Sequence, residues 1–214
     1  ILSALVKSRY NILISGATNS GKSSLLNALA EYIGKRERVI TIEDSAELQL
    51  FHVENLVRLE TRNANMEGEN EITMQDLIKA SLRMRPDRII VGEVRGAEAM
   101  SMLQALSTGH SGSVSSIHAN SCRDALRRLE TMVLMGMDMP LAAIQGLIAS
   151  SVDILIHLGR LTTGKRKILE ICEIKDYSRA EYDIRTLFQY KAGQTESLEM
   201  TGKLFHTEKL KSYG

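Results

Sequence analysis

One eight-residue segment constrains the fold of this chain more than any other feature. Residues 16–23 read Gly-Ala-Thr-Asn-Ser-Gly-Lys-Ser and match the phosphate-loop pattern G-x-x-x-x-G-K-[ST] at every fixed position. Residues 11–15 before it read as a strand, and residues 24–33 after it read as a helix. A loop in that context turns backbone N–H groups towards phosphate oxygens, and the helix N-terminus adds partial positive charge. The alternative is a glycine turn that matches by chance, and the flanking strand and helix disfavour it.

The phosphate-loop pattern assigns roles to individual side chains. Lys22 would neutralise the β- and γ-phosphates of ATP, and the Ser23 hydroxyl would enter the coordination shell of Mg²⁺. The neighbouring backbone would cradle the phosphates. The predicted nucleotide-binding residues are Gly16, Ala17, Thr18, Asn19, Ser20, Gly21, Lys22, Ser23 and Ser24.

Short β-rich runs alternate with helical patterns through the middle of the chain, which is typical of an α/β fold with a mostly parallel sheet flanked by helices. Residues 89–91, Ile-Ile-Val, form the continuous apolar run of a strand buried on both faces. Beyond residue 168 the pattern becomes looser, and the polar residues 191–214 predict peripheral structure or a partly ordered terminus. The predicted strands of the main sheet are residues 11–15, 38–42, 56–60, 88–91, 113–117 and 154–158.

The composition excludes several function classes. The chain of 214 residues has 27 Lys plus Arg against 26 Asp plus Glu, and this balance predicts no nucleic-acid binding. Cys122 and Cys172 lie far apart and form no CxxC pair, so no zinc site is expected. No apolar run approaches the roughly 18 residues that a membrane-spanning helix needs, and no signal peptide is recognisable.

Acidic residues follow two of the predicted strands. Glu43, Asp44 and Glu47 come after residues 38–42, and Glu93 ends the apolar run 89–91 in the layout of a Walker B element. Ligands of open α/β sheets bind at the carboxyl ends of the strands, so we expect these carboxylates near the nucleotide. A solvated acidic loop is the alternative for the first group. Glu93 is harder to explain that way, because an acid at the end of a buried strand usually has a partner.

A small, polar, glycine-containing segment at residues 109–120 leads into a short strand that ends at His118. A histidine there can donate a hydrogen bond to the γ-phosphate, although a single histidine is more often structural. A metal pair with His110 is disfavoured, because the two histidines lie at opposite ends of the predicted strand.

Taken in order, these segments resemble the secretion/traffic ATPases, the family of type II secretion, type IV pilus and type IV secretion ATPases. The resemblance covers residues 1–175. Residues 126–132 together with residues 135–140 further resemble the Flp or tight-adherence pilus branch, the CpaF/TadA-type ATPases. The blocks that carry the family resemblance are the Walker A loop, residues 41–47 (the Asp box), residues 85–96 and residues 108–120 (the His box).

The resemblance implies a RecA-like P-loop fold and hydrolysis of ATP with Mg²⁺. It also implies a homo-hexameric ring at the cytoplasmic face of the bacterial inner membrane, working with a membrane platform protein of a pilus or secretion system. Glu47 would polarise the attacking water, with Glu43 as the second candidate, and Glu93 would be an atypical Walker B acid near the metal beside Ser23. His118 would contact the γ-phosphate. Arg95 and His110 match family positions with supporting roles.

The chain departs from the family pattern in its loop and in its extent. Asn19 stands where glycine is common, and we expect the loop to form because asparagine tolerates positive φ. The chain starts about one strand before the loop, so it resembles the C-terminal ATPase domain of a longer protein, with residues 1–175 as the domain and 176–214 as a peripheral extension. We expect a motor for pilus assembly or protein secretion. The alternatives are a conjugative, type IV secretion or pilus-retraction ATPase, a nucleotide-gated scaffold with little turnover, and a small-molecule kinase whose lid and acceptor pocket we cannot identify.

Overall fold

A nine-stranded sheet organises the chain in the computed structural model, which describes residues 1–178, 181–191 and 197–213. Its strands are β1 (Ile12–Gly16), β2 (Arg38–Glu43), β3 (Asn55–Glu60), β4 (Arg88–Val94), β5 (Val114–Ile117), β6 (Ile154–Arg160), β7 (Arg166–Ser178), β8 (Glu181–Lys191) and β9 (Ser197–Met200). The helices are α1 (Leu2–Lys7), α2 (Lys22–Ala30), α3 (Met74–Ser81) with a 3₁₀ turn at Leu82–Met84, α4 (Glu98–Ser107), α5 (Cys122–Gly136), α6 (Leu141–Ser151) and α7 (Glu208–Tyr213).

The strand order is β3-β2-β4-β5-β1-β6-β7-β8-β9. The first six strands in that order pair in parallel, and the last three add in antiparallel fashion. The predicted α/β fold with a mostly parallel sheet is therefore confirmed. β1, which leads into the phosphate loop, lies between β5 and β6, so the loop opens near the centre of the parallel part.

Apolar layers cover both faces of the sheet. Alternate residues of β1 show the division, because Leu13 packs with the layer of α3 to α6 whereas Ile12 and Ile14 pack with the layer of α1 and α2. Helices α3 and α5 begin at side-chain caps: Thr73 and Asp76 form a capping box on α3, and the Ser121 hydroxyl accepts a hydrogen bond from the backbone N–H of Asp124 on α5. No helix in the described ranges is long and apolar enough to cross a membrane.

The end of the chain is more regular than its sequence suggests. Residues 168–174 and 186–190 belong to the long antiparallel strands β7 and β8, and β9 pairs with β8 further out. The predicted boundary at residue 175 falls within β7, and the division into a domain and an extension stays a prediction. Part of the predicted polar tail, residues 192–196 and 214, lies outside the described residues.

Two buried polar side chains, Asn11 before β1 and Arg88 at the start of β4, connect several elements of the fold. The Asn11 side chain accepts hydrogen bonds from the backbone N–H groups of Gly112 and Ser113, and it donates to the carbonyls of Leu106 and Ser151. Arg88, with 1% of its surface exposed, forms a two-pronged ion pair with Glu37 at 2.8 and 3.1 Å. Buried polar groups satisfied in this way fix the relative positions of the elements that hold them.

Candidate nucleotide site

The phosphate loop connects β1 to α2 through two residues in the left-handed conformation. Asn19 has φ of 60° and Gly21 has φ of 100°, and Gly21 is the N-cap residue of α2. The asparagine thus adopts the positive φ expected of it. The ammonium of Lys22 donates to the carbonyl oxygens of Gly16 and Ala17, at 3.1 and 3.3 Å, and so lies over the loop. A lysine in that position is aimed at the space where phosphates bind a helix N-terminus.

Glu93 connects the charged groups around Lys22. Its Oε1 lies 3.7 Å from the Lys22 ammonium and 2.6 Å from Nε2 of His118. Its Oε2 accepts from Nε of Arg95 at 2.9 Å, and Arg95 also contacts Asp44 at 3.3 Å. Burial lowers the pKa of Lys22, and the negative charge of Glu93 partly offsets that effect. The structure therefore brings together residues from β4, the loop after β5 and the phosphate loop.

The two glutamates after strand β2 have different surroundings. Glu43 is 5% exposed, and its Oε1 accepts hydrogen bonds from the backbone N–H groups of Glu47 and Leu48 at 3.0 and 3.1 Å. Burial raises the pKa of Glu43, and these N–H groups oppose the shift. Glu47 is exposed in the cleft, where its Oε2 accepts from the Ser23 hydroxyl at 3.0 Å. Of the two, Glu47 therefore reaches the predicted metal ligand.

Gly92 explains the atypical Gly-Glu pair at the end of the Walker B strand. A Cβ atom on this glycine would lie 3.0 Å from Cγ of Glu43, a distance tighter than nine in ten real Cβ contacts. Glu43 and Glu93 come from the neighbouring strands β2 and β4. The missing side chain at Gly92 therefore makes room for Glu43, which in turn holds the backbone of Glu47.

These groups line one cavity of about 530 Å³, a volume that suits a nucleotide. His110 lies away from it, with Nδ1 3.3 Å from the carbonyl oxygen of Ala105. Arg166, which the sequence reasoning missed, also lines the cavity. Its only sequence signal is the cationic run Lys165, Arg166 and Lys167 directly after a glycine turn. The predicted residues in the lining are Thr18, Asn19, Ser20, Gly21, Lys22, Ser23, Ser24, Glu43, Glu47, Glu93 and His118.

The donor set of this cavity suits Mg²⁺. Ser23, Glu47 and Glu93 offer hydroxyl and carboxylate oxygens, the hard ligands that Mg²⁺ prefers. A second group of metal-ligand type lies elsewhere, where Cys122, Glu170 and Cys172 bring their ligand atoms within 4.8 Å of one another. The fold unites two cysteines that the sequence separates, and the expected absence of zinc stays a prediction.

Comparisons with known proteins identify the family of this chain. The family described as "Type II/IV secretion system protein" matches residues 1–206. The conjugal transfer protein TrbB of Rhizobium radiobacter is 39% identical over 180 residues, which are 83% of this chain and 52% of TrbB. The crystal structure of the VirB11 ATPase of the Brucella suis type IV secretion system, in complex with sulphate, superposes with a TM-score of 0.73 at 35% identity and covers 80% of this chain and 50% of VirB11.

A third match is the pilus retraction motor PilT with bound ADP, with a TM-score of 0.63 and 25% identity over 86% of this chain and 49% of PilT. The chain thus spans about half the length of the curated relatives it matches. The family resemblance predicted from the sequence is confirmed, whereas the finer assignment to the Flp pilus branch is not.

Proposed function

Because the chain belongs to the type II/IV secretion system protein family, we propose that it is an ATP-hydrolysing motor domain that powers secretion or pilus assembly at the bacterial inner membrane. One observation carries this proposal: Lys22 of the phosphate loop shares a cavity with Glu47, Glu93 and His118. A protein that only binds nucleotide needs the loop but none of the other three side chains. Hydrolysis needs groups that orient water and sense the terminal phosphate, and these residues suit that task.

Each side chain has a step that its contacts support. On nucleotide binding, Lys22 exchanges its contact with Glu93 for contacts with phosphate oxygens. Without this exchange, the Glu93 carboxylate beside Lys22 would repel the phosphate oxygens. Glu47 orients the attacking water and accepts its proton. His118 donates a hydrogen bond to the γ-phosphate in place of its contact with Glu93. Mg²⁺, held beside Ser23 and Glu93, would neutralise charge on the transferring phosphoryl group when bound.

The names of the similar proteins favour one class of machine. TrbB is a conjugal transfer protein and VirB11 belongs to a type IV secretion system, and both are more similar in sequence to this chain than PilT is. We therefore favour conjugation or type IV secretion over pilus retraction. By analogy, the full-length protein would act as a homo-hexamer at the cytoplasmic face of the membrane, against a platform protein, and would pass domain motion to it.

Calorimetric titration with Mg-ATP tests the first half of the proposal. Wild type should bind, and Lys22→Ala should lose at least about tenfold in affinity, because a charge-assisted contact to phosphate is removed. Equal affinity in both proteins would contradict a nucleotide site at this loop.

Phosphate release tests the second half and separates a motor from a nucleotide-gated scaffold. Glu47→Gln should retain Mg-ATP binding but lose about 100-fold or more in turnover, the typical worth of a general base. The matched control is Glu54→Gln, since Glu54 is an exposed glutamate outside the cavity lining. Equal turnover in both variants and wild type would remove Glu47 from the reaction.

A further inference from the structure

The two sides of the phosphate loop present different side chains to the cavity. β1 lies between β5 and β6 in the sheet. The carboxylates and His118 reach the cavity from β2, β4 and β5, on one side of the loop. The other side is the hairpin of β6 and β7, which contributes Arg166.

Arg166 lies against the phosphate loop itself. Its Cδ atom is 3.5 Å from the position that a Cβ atom would occupy on Gly21, the residue at the N-cap of α2. The guanidinium group of Arg166 is bonded directly to this Cδ atom. The guanidinium is therefore within reach of anything that the loop and the α2 N-terminus bind.

Arg166 also differs from the other two long cations of the cavity. Lys22 and Arg95 both contact Glu93, so their charge is balanced within the protein. The Arg166 side chain is exposed, and it makes no ion pair or hydrogen bond with residues 1–178, 181–191 and 197–213. An arginine without an anionic partner, placed at the wall of an anion site, suits a phosphate ligand well because its planar fork donates two hydrogen bonds at once.

We propose that Arg166 binds the nucleotide through its α- and β-phosphates, a role that rests on the proposed function. The γ-phosphate and the metal belong on the side of Glu47, Glu93 and His118, where the acidic and histidine groups are. The opposite side then faces the part of the nucleotide that ATP and ADP share. Arg166 therefore contributes to affinity for both nucleotides alike and takes no part in the hydrolytic step.

Calorimetric titration of Arg166→Gln with Mg-ADP and with Mg-ATP tests this role. We expect affinity for each nucleotide to fall by about tenfold, which is 1.4 kcal/mol, with equal factors for the two. Arg166→Lys should recover part of the loss, because it restores the charge without the fork. The matched control is Lys167→Gln, which makes the same change in charge one residue along β7 but outside the cavity lining. Because Arg166 is exposed, its variants should have the same melting temperature as the wild type.

Two results would overturn the role of Arg166. Either wild-type affinity in Arg166→Gln, or an equal loss in Arg166→Gln and Lys167→Gln, would show that no specific contact exists. Lys22→Ala, measured in the same series, separates this failure from failure of the proposed function. If Lys22→Ala lowers affinity and Arg166→Gln does not, the nucleotide site stands and only the role of Arg166 falls. If Lys22→Ala also binds as wild type, the nucleotide site itself is wrong.

Discussion

At the scale of single residues, Glu43 and Glu47 look alike in the sequence and differ in their surroundings. Glu43 is buried and its Oε1 accepts hydrogen bonds from two backbone N–H groups, whereas Glu47 is exposed beside Ser23. We therefore expect Glu43 to be a positioning residue. Glu43→Gln keeps a carbonyl acceptor and should retain turnover within about threefold, whereas Glu43→Ala should lose roughly tenfold or more, as two N–H groups lose their partner.

Steady-state phosphate release, measured on both variants beside Glu47→Gln, checks this assignment. Replacing the carboxylate of a general base by an amide removes the group that accepts the proton, so only Glu47 should be intolerant of glutamine. A large loss in Glu43→Gln with full activity in Glu47→Gln would reverse the two roles.

Sequence motifs predicted which residues line the cavity better than they predicted the contacts among those residues. Lys22, Ser23 and Glu93 follow from motifs with a fixed relation to strand ends, because the carboxyl ends of parallel strands meet at one edge of the sheet. The role of Gly92 depends on the packing of Glu43 from a neighbouring strand, and no local pattern reports that. Arg166 reaches the cavity only because the hairpin of β6 and β7 pairs beside β1. The closeness of Cys122 and Cys172 depends on tertiary packing in the same way.

At the scale of secondary-structure elements, the antiparallel end of the sheet anchors the C-terminal segment. Glu173 on β7 is 1% exposed, and it accepts hydrogen bonds from the backbone N–H groups of Phe205 and His206, both at 2.7 Å. Further along, the ammonium of Lys209 contacts Asp153 at 2.6 Å. The Tyr10 hydroxyl donates to the carbonyl of His206, and burial, with the nearby charge of Asp153, raises the pKa of Tyr10 to about 12. The segment thus returns to the start of the chain.

Removal of the Glu173 carboxylate should release this segment. Glu173→Ala leaves two N–H groups without an acceptor and should cost about 1–3 kcal/mol of unfolding free energy. Hydrogen exchange should accelerate in residues 205–213 before it does in the parallel strands. Glu181→Ala, a change at an exposed position of β8, is the control and should leave exchange unaltered. Uniform acceleration across the whole sheet would contradict a local anchor.

The difference between the predicted and observed ends of the chain has a physical reason. The parallel strands β1, β2, β4 and β6 are buried on both faces over most of their length, so their apolar runs are nearly continuous and easy to recognise. β8 alternates exposed and half-buried residues towards both ends, and β9 does so throughout, so neither carries a strong apolar run. Their pairing depends on β7, which itself depends on β6. Local sequence therefore reports the parallel strands and leaves the antiparallel ones weakly predicted.

At the scale of the whole molecule, one ion-pair network holds the base of the sheet, at the end of the strands away from the cavity. Arg88 at the start of β4 contacts Glu37 and also donates to the carbonyls of Val6 and Gly112, at 2.8 and 3.1 Å. Arg9 joins the same carboxylate at 2.8 Å. Four separate segments therefore meet at one buried guanidinium. Cavity and network lie at opposite ends of the strands, so a fault in the network should affect stability and leave the residues of the cavity in place.

The pH dependence of unfolding tests this network. Burial raises the pKa of Glu37, but the hydrogen bonds and charge of Arg88 outweigh burial and hold this pKa below its usual value of 4.5. A lowered carboxyl pKa contributes stability that is fully present above 4.5 and is lost as the pH falls through the folded-state value. Glu37→Gln should therefore cost roughly 2–4 kcal/mol at pH 7, somewhat less than a fully buried pair because Glu37 keeps some contact with solvent. Its deficit against wild type should shrink below pH 4.5.

Urea unfolding at several pH values measures this, with Glu54→Gln as the surface control, and a deficit that stays constant with pH would show that the charge of Glu37 is not what stabilises the network.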